Sequence, residues 1–72
     1  MTETATAVAD QIRSALALRN RRGVDLAAHL GVSPVYVSRR MRGHVEWSAS
    51  EVVAIASWLG IPISHLLGEV AA

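Results

Sequence analysis

Apolar residues recur at intervals of three or four positions along most of the chain, which is the spacing of one face of an α-helix. Residues 4–19 form the first such pattern, and Asp10 and Gln11 are turned outward from it. The positions that make up its stripe are Val8, Ile12, Ala15, Leu16 and Arg19. This segment therefore predicts an amphipathic helix, which the polar run from Asn20 to Gly23 ends.

Two short helices follow, separated by a turn at Gly31. The apolar stripe of the first consists of Leu26, Ala27 and Leu30, and that of the second consists of Val37 and Met41. Glycine adopts the left-handed conformation without a Cβ penalty, so we expect Gly31 at the C′ position of the first helix. Ser33 and Pro34 start the second helix, as a capping hydroxyl followed by proline at the first helical position. This helix, residues 33–42, ends before Gly43.

The last third of the chain predicts two more helices. Ser48 and Glu51 form a capping box, and Trp47 and Val52 have the spacing of a hydrophobic staple. The apolar positions of the fourth helix are Val52, Ile55, Ala56 and Leu59, and those of the fifth, which begins at Pro62, are Ile63, Leu66 and Leu67. Gly60 separates the two helices.

The whole pattern predicts an all-α fold of five short helices, because the chain lacks alternating apolar runs and hairpin turn signals. Its 72 residues predict a single domain, residues 1–72, and we expect flexible ends at residues 1–6 and 69–72. The chain contains neither Cys nor Phe, so disulfides and thiolate metal sites are excluded and the core consists of smaller side chains. The longest apolar run, Val52–Ala56, is far shorter than the roughly 20 residues of a membrane span.

A net charge of +1 conceals a strongly basic middle segment. Residues 19–44 contain six arginines and one acid, Asp25, which gives +5, whereas residues 1–18 carry −1 and residues 45–72 carry −3. The planar fork of arginine binds phosphates and guanine edges through two hydrogen bonds, which lysine cannot do. We interpret the segment as a nucleic-acid-binding surface; a solvated basic face is the alternative.

The two helices around Gly31 have the spacing of a DNA-binding helix-turn-helix, over residues 23–42. Ala27 lies four positions before Gly31, where a small residue lets the next helix cross closely, and Val37 lies six positions after it. With the flanking helices, this order resembles the Cro and lambda-repressor (XRE-type) family over about residues 8–68. The downstream motifs that carry the resemblance are Gly43, Ser48, the segment 55–60 (IASWLG) and Leu66-Leu67. The resemblance implies a lambda-repressor-like DNA-binding domain.

Three positions depart from the family's usual pattern. Gly23 stands where the family has a phosphate-contacting Gln, and a backbone N–H at the helix start is the remaining donor there. Arg40 replaces an apolar residue, so that either Arg40 extends toward a phosphate or Met41 takes over the core contact. Trp58 replaces a common Ala, and it either fills a gap or forms an interface.

The resemblance also implies which residues contact DNA. The N-terminal part of the recognition helix, residues 33–42, enters the major groove in this family. The implied base contacts are Pro34, Val35, Ser38 and Arg39, and the implied phosphate contacts are Arg21, Arg22, Tyr36, Arg40, Arg42 and His44. Pro34 and Val35 offer only apolar contact, for example with a thymine methyl group, whereas Arg39 is the expected guanine contact.

Other kinds of site find little support in the sequence. His29, His44 and His65 lack metal-ligand spacing, and the chain has no nucleophile motif and no Gly-rich phosphate loop. We therefore expect no catalytic activity, no metal and no cofactor. The expected partner is a double-stranded DNA operator, palindromic because one small head contacts few bases and dimers bind two half-sites. Helix 5 and the tail, residues 68–72, are the expected homodimer surface.

The leading hypothesis is a bacterial transcription regulator, a phage or prophage Cro-like or immunity repressor that acts by operator occupancy in the cytoplasm, at the nucleoid. Two alternatives within DNA binding are the antitoxin of a toxin–antitoxin pair and a phage directionality factor. A third alternative is a helical protein-interaction module that binds a host protein without DNA. The chain also fits the N-terminal domain of a longer repressor.

Overall fold

The described part of the chain, residues 3–67 in a computed structural model, consists of five α-helices without a strand. In chain order they are α1 (Glu3–Leu18), α2 (Gly23–Leu30), α3 (Pro34–Met41), α4 (Ala49–Leu59) and α5 (Ile63–Leu67). The predicted all-α class and the five predicted helices are confirmed, with ends that differ by about one residue. Of the ends expected to be flexible, residues 1–2 and 69–72 lie outside the described residues, whereas the backbone of residues 3–6 belongs to α1. The expected dimer tail, residues 68–72, also lies outside the described residues.

The signals predicted from the sequence set the helix ends. Gly31 follows α2 with a φ of 70°, and Gly60 follows α4 with the same value, so both adopt the left-handed conformation. The Ser33 hydroxyl oxygen accepts a hydrogen bond from the Tyr36 amide at 3.2 Å, which caps α3. The capping box of α4 is complete, because the Ser48 amide also donates to Glu51 Oε1 at 2.8 Å.

Aliphatic side chains from all five helices fill the core. The largest fully buried side chains are Ile12, Leu26, Val37, Ile55 and Leu66. In the packing, α2 lies against α3, α1 lies against α3 and α5, and α4 lies against α2 and α5. Trp47 and Val52, the two residues of the predicted staple at the start of α4, are both buried. No helix of the described residues is long and apolar enough to cross a membrane.

Candidate nucleic-acid interface

One face of α3 is open to solvent. Val35, Ser38, Arg39 and Arg42 share this face by helical spacing, opposite the buried Val37. The Val35 side chain is 66% exposed, and Arg39 and Arg42 are exposed as well. Neither arginine forms an ion pair within the described part of the chain, so both guanidinium groups are available to a partner. We call these four residues the α3 outer face.

The start of α2 lies beside the α3 outer face. A shallow cleft between the two helices is lined by residues that include Arg22, Gly23, Pro34 and Ser38. Arg22 is held there by Asp25, whose Oδ2 accepts the Arg22 amide hydrogen at 2.8 Å and lies 3.6 Å from Nε. A Cβ atom at Gly23 would lie 3.7 Å from Val37 Cγ1, an ordinary contact, so packing does not require glycine at this departure from the family pattern.

Trp58 of α4 contacts both the last turn of α2 and the segment just before α2. The Arg21 guanidinium carbon lies 4.4 Å from the centroid of the Trp58 ring, and the His29 ring stacks on Trp58 at 5.0 Å with an interplanar angle of 15°. Trp58 also packs, partly buried, against the hydrophobic core. Because cation–π attraction favours a cation over an indole face, Trp58 restricts where the Arg21 guanidinium can lie.

The opposite flank of α3 carries a polar cluster shared with α4, formed by Tyr36, Arg40 and Glu51. The Tyr36 hydroxyl donates a hydrogen bond to Glu51 Oε2. The Arg40 guanidinium carbon lies 3.5 Å from the centroid of the Tyr36 ring, and Arg40 Nε lies 3.8 Å from Glu51 Oε1. The Arg40 and Glu51 side chains are only 17% and 18% exposed, so this ion pair is largely shielded from solvent. We call it the Tyr36–Arg40–Glu51 cluster.

The cluster shifts the protonation equilibria of two of its members. Burial raises the pKa of Glu51, but hydrogen bonds from Tyr36 and Ser48 and the charge of Arg40 together lower that pKa below its usual value. The hydrogen bond to Glu51 raises the pKa of Tyr36, burial and the Glu51 charge add to the rise, and Arg40 opposes it. At neutral pH the Glu51 side chain is therefore a carboxylate and the Tyr36 side chain a neutral phenol.

Two further arginines bind helix C-termini. Arg13 of α1 donates from Nη1 to the carbonyl oxygen of Met41 at 3.0 Å, at the end of α3. Arg19 donates from Nε to the carbonyl oxygen of Leu59 at 3.3 Å, at the end of α4. Cations stabilise the carbonyl end of a helix, so these contacts are structural. Although Arg19 belongs to the basic segment of the sequence, its guanidinium therefore binds the C-terminal end of α4.

A comparison with known families decides what this arrangement is. The model of the helix-turn-helix family matches residues 12–66, most of the chain. The chain belongs to this family, in its XRE type. It is a DNA-binding transcription regulator of that type. Neither the curated proteins nor the solved structures gave a match.

The second helix of a DNA-binding helix-turn-helix is termed the recognition helix, and here the helix in that place is α3, with α2 before the turn. Three of the four implied base contacts, Val35, Ser38 and Arg39, lie on the α3 outer face, and Pro34 borders the neighbouring cleft. Of the implied phosphate contacts, Arg42 lies on the outer face and His44 is exposed just after α3. The roles implied for all of these residues stay predictions.

Tyr36 and Arg40, also implied as phosphate contacts, lie on the flank of the recognition helix that faces α4. Arg40 stands at a usually apolar position of the family, and Met41, partly buried against the core, makes the core contact in its place. Sequence reasoning assigned Glu51 only to the capping box and missed its bond to Tyr36. The available signal was an acidic side chain at the first turn of α4, next to a segment rich in arginine.

Proposed function

We propose that this helix-turn-helix protein is a repressor of the phage or prophage Cro-like type, which occupies a palindromic operator and blocks polymerase. The α3 outer face is the observation that carries the proposal. It presents Arg39, a guanidinium without a partner among the described residues, beside Ser38 and Val35. In the major groove an arginine fork recognises guanine, and a hydroxyl bonds to either a donor or an acceptor on a base edge. The exposed methyl groups of valine can contact the thymine methyl group. The protein would act in the bacterial cytoplasm, at the nucleoid, and we assign it no catalytic role.

We propose that the residues of this face and its surroundings divide into base contacts and phosphate contacts. Pro34, Val35, Ser38 and Arg39 contact bases, with Arg39 on guanine. The phosphate contacts come from Arg42 at the end of this face and from residues around it, namely Arg21, Arg22 and His44. Phosphate contacts fix the register of the protein on the duplex, whereas base contacts select the sequence. Tyr36 and Arg40 are left out of this set because their polar groups are engaged with Glu51.

The proposed operator is palindromic because the proposed repressor is a homodimer. An apolar groove of about 310 Å³ lies between the start of α4 and α5, lined by residues that include Trp47, Val53, Ile63 and Leu67. Val53 is 53% exposed, and Ile63 is exposed as well. These side chains support α5 as the dimer surface, and this surface leaves the α3 outer face free for DNA.

Fluorescence titration of labelled duplexes tests the proposal. An operator selected from a random pool and a scrambled duplex of equal length would be compared at about 50 and about 200 mM salt. Arg39→Ala is expected to abolish the preference for the operator while circular dichroism stays unchanged. Arg39→Lys is the matched control, because it keeps the charge and loses the fork, and it should retain scrambled-duplex binding but not the preference.

Equal binding of wild type and Arg39→Ala to both duplexes would contradict sequence-specific recognition by this helix. No binding of wild type to either duplex, with the fold intact, would favour the protein-interaction module. Such a module would use Val35 on the α3 outer face and Val24 in the neighbouring cleft, which are both exposed apolar residues. An antitoxin or a directionality factor would pass the titration and would differ in the genes beside it.

A further inference from the structure

We propose that Glu51 is a positioning residue that works as an internal counterion, keeping Arg40 away from DNA phosphates while fixing the recognition helix against α4. The inference rests on the proposed function, because it concerns how many DNA phosphates the same interface contacts. Its physical basis is the Tyr36–Arg40–Glu51 cluster, in which one carboxylate binds two side chains of the recognition helix.

The position of Arg40 on the recognition helix gives the first step. Arg40 follows directly after Arg39, one of the exposed residues of the α3 outer face, and it lies one helical turn after Tyr36. A long arginine side chain next to the DNA-facing surface has the reach to meet a phosphate. In this structure it is instead folded over the Tyr36 ring, with Nη1 donating to the Tyr36 carbonyl oxygen at 3.4 Å.

The way Arg40 is held gives the second step. Arg40 Nε is buried and has no hydrogen-bond acceptor, and its distance of 3.8 Å from Glu51 Oε1 is that of an ion pair without a hydrogen bond. Charge and the aromatic ring therefore hold the guanidinium more than directional bonds do. A neutral residue at position 51 would remove the main electrostatic reason for Arg40 to stay there.

The carboxylate of Glu51 also has a positioning role. It accepts hydrogen bonds from the Tyr36 hydroxyl and from the Ser48 amide, so one side chain joins the recognition helix to the first turn of α4. Glutamine can preserve the connection, because its amide oxygen accepts from the Ser48 amide, as Gln does in capping boxes, and its amide nitrogen can donate to the Tyr36 hydroxyl oxygen. Glu51→Gln therefore removes the charge and leaves the connection.

The consequence concerns binding to arbitrary DNA. Each phosphate neutralised by a protein cation adds about 0.9 to the slope of log K against log salt, and this binding carries no sequence information. A free Arg40 would add one such contact for each protomer. By withholding it, Glu51 keeps the affinity for DNA of any sequence low and leaves the base contacts of Arg39 to supply the sequence preference.

Four proteins test this proposal: wild type, Glu51→Gln, Arg40→Gln and the double variant. Each would be titrated with a scrambled duplex over a range of salt concentrations, with circular dichroism as the check on folding. We expect Glu51→Gln to bind the scrambled duplex more tightly, with a slope steeper by about 0.9 for each protomer. Arg40→Gln and the double variant should both have the wild-type slope, because Arg40 contributes no phosphate contact in the wild type.

Two results overturn the proposal: a Glu51→Gln slope equal to that of wild type, or an Arg40→Gln slope shallower than that of wild type. The second comparison keeps the proposal falsifiable even where Glu51→Gln does not fold. Different results would contradict the proposed function: the wild type would bind no duplex, or it would bind operator and scrambled duplex equally. A wild type that prefers its operator, together with unchanged slopes in all variants, refutes only the role of Glu51.

Discussion

Arg13 Nη1 donates a hydrogen bond to the carbonyl oxygen of Met41 at 3.0 Å, which ties the last turn of the recognition helix to α1. The two residues are 28 positions apart, and Arg13 also pairs with Asp10 on its own helix. The carbonyl of Met41 is one of the groups that a helix end leaves without an intrahelical partner. Arg13 thus fixes the C-terminal end of the recognition helix, while the Ser33 cap fixes its start.

Arg13→Met should lower the free energy of unfolding by about 0.5–1 kcal/mol, because it removes one charge-assisted hydrogen bond at an exposed site. The thioether side chain keeps most of the aliphatic length, so loss of packing contributes little. Thermal denaturation followed by circular dichroism measures the effect. Asp10→Asn is the matched control, because it removes the ion pair on α1 and leaves the Met41 contact. A control variant as destabilised as Arg13→Met would show that the Met41 contact contributes nothing.

Gly31→Ala should destabilise the protein by about 1–2 kcal/mol, because the residue has a φ of 70° and a Cβ is unfavourable in that conformation. A Cβ at this position meets no atom within 4 Å, so the effect would come from backbone strain alone. Gly23→Ala is the matched control: Gly23 is the first residue of α2, its φ is not positive, and its added Cβ makes an ordinary contact.

Because alanine has a higher helix propensity than glycine, Gly23→Ala should be neutral or stabilising by up to about 1 kcal/mol. Urea denaturation of the two variants and wild type gives both values. Equal stability of the two variants would contradict the role assigned to the turn at Gly31.

Short-range signals explain why the fold could be predicted from the sequence. Gly31, the Ser33-Pro34 start and the capping box of Ser48 and Glu51 each act within four residues, so the sequence shows them directly. These signals place α2, the turn and α3, and with them the α3 outer face. The apolar stripe then determines which side of each helix is buried.

Contacts between distant residues explain what could not be predicted. Tyr36 and Glu51 are 15 positions apart, and Arg19 is 40 positions from Leu59. Nothing in the order of residues shows that Arg40 turns toward α4 instead of the outer face, because both directions are open to a long side chain on that part of the helix. Which arginines remain available to DNA follows only from the side-chain contacts that α1 and α4 make with the recognition helix.

Trp58→Leu should weaken operator binding by about two- to fivefold, because it removes the aromatic face that holds Arg21, an interaction of about 0.5–1 kcal/mol. The charge of Arg21 remains, so the slope of log K against log salt should stay unchanged. Trp58→Phe keeps an aromatic ring and should bind more tightly than Trp58→Leu. Fluorescence titration at several salt concentrations separates the two effects. Equal affinity of all three proteins would show that Trp58 does not position Arg21 for a contact with DNA.

The stability of the protein should fall in acid partly through Glu51. Its pKa in the folded state lies below the usual value, despite burial, because Tyr36, Ser48 and Arg40 favour the carboxylate. A lowered folded pKa stabilises the protein at pH values above the unfolded pKa, about 4.3, and this contribution disappears as the pH falls through the folded value.

Urea denaturation at pH 7 and at a series of pH values below 4.5 would measure this contribution in wild type and in Glu51→Gln. We expect the stability difference between them to shrink as the pH falls, since protonated Glu51 resembles the neutral amide. Tyr36→Phe removes the hydrogen bond that contributes most to lowering this pKa, so its stability should depend less steeply on pH than that of wild type. A difference between wild type and Glu51→Gln that stays constant over this range would mean that the Glu51 carboxylate has the same pKa in the folded and unfolded protein.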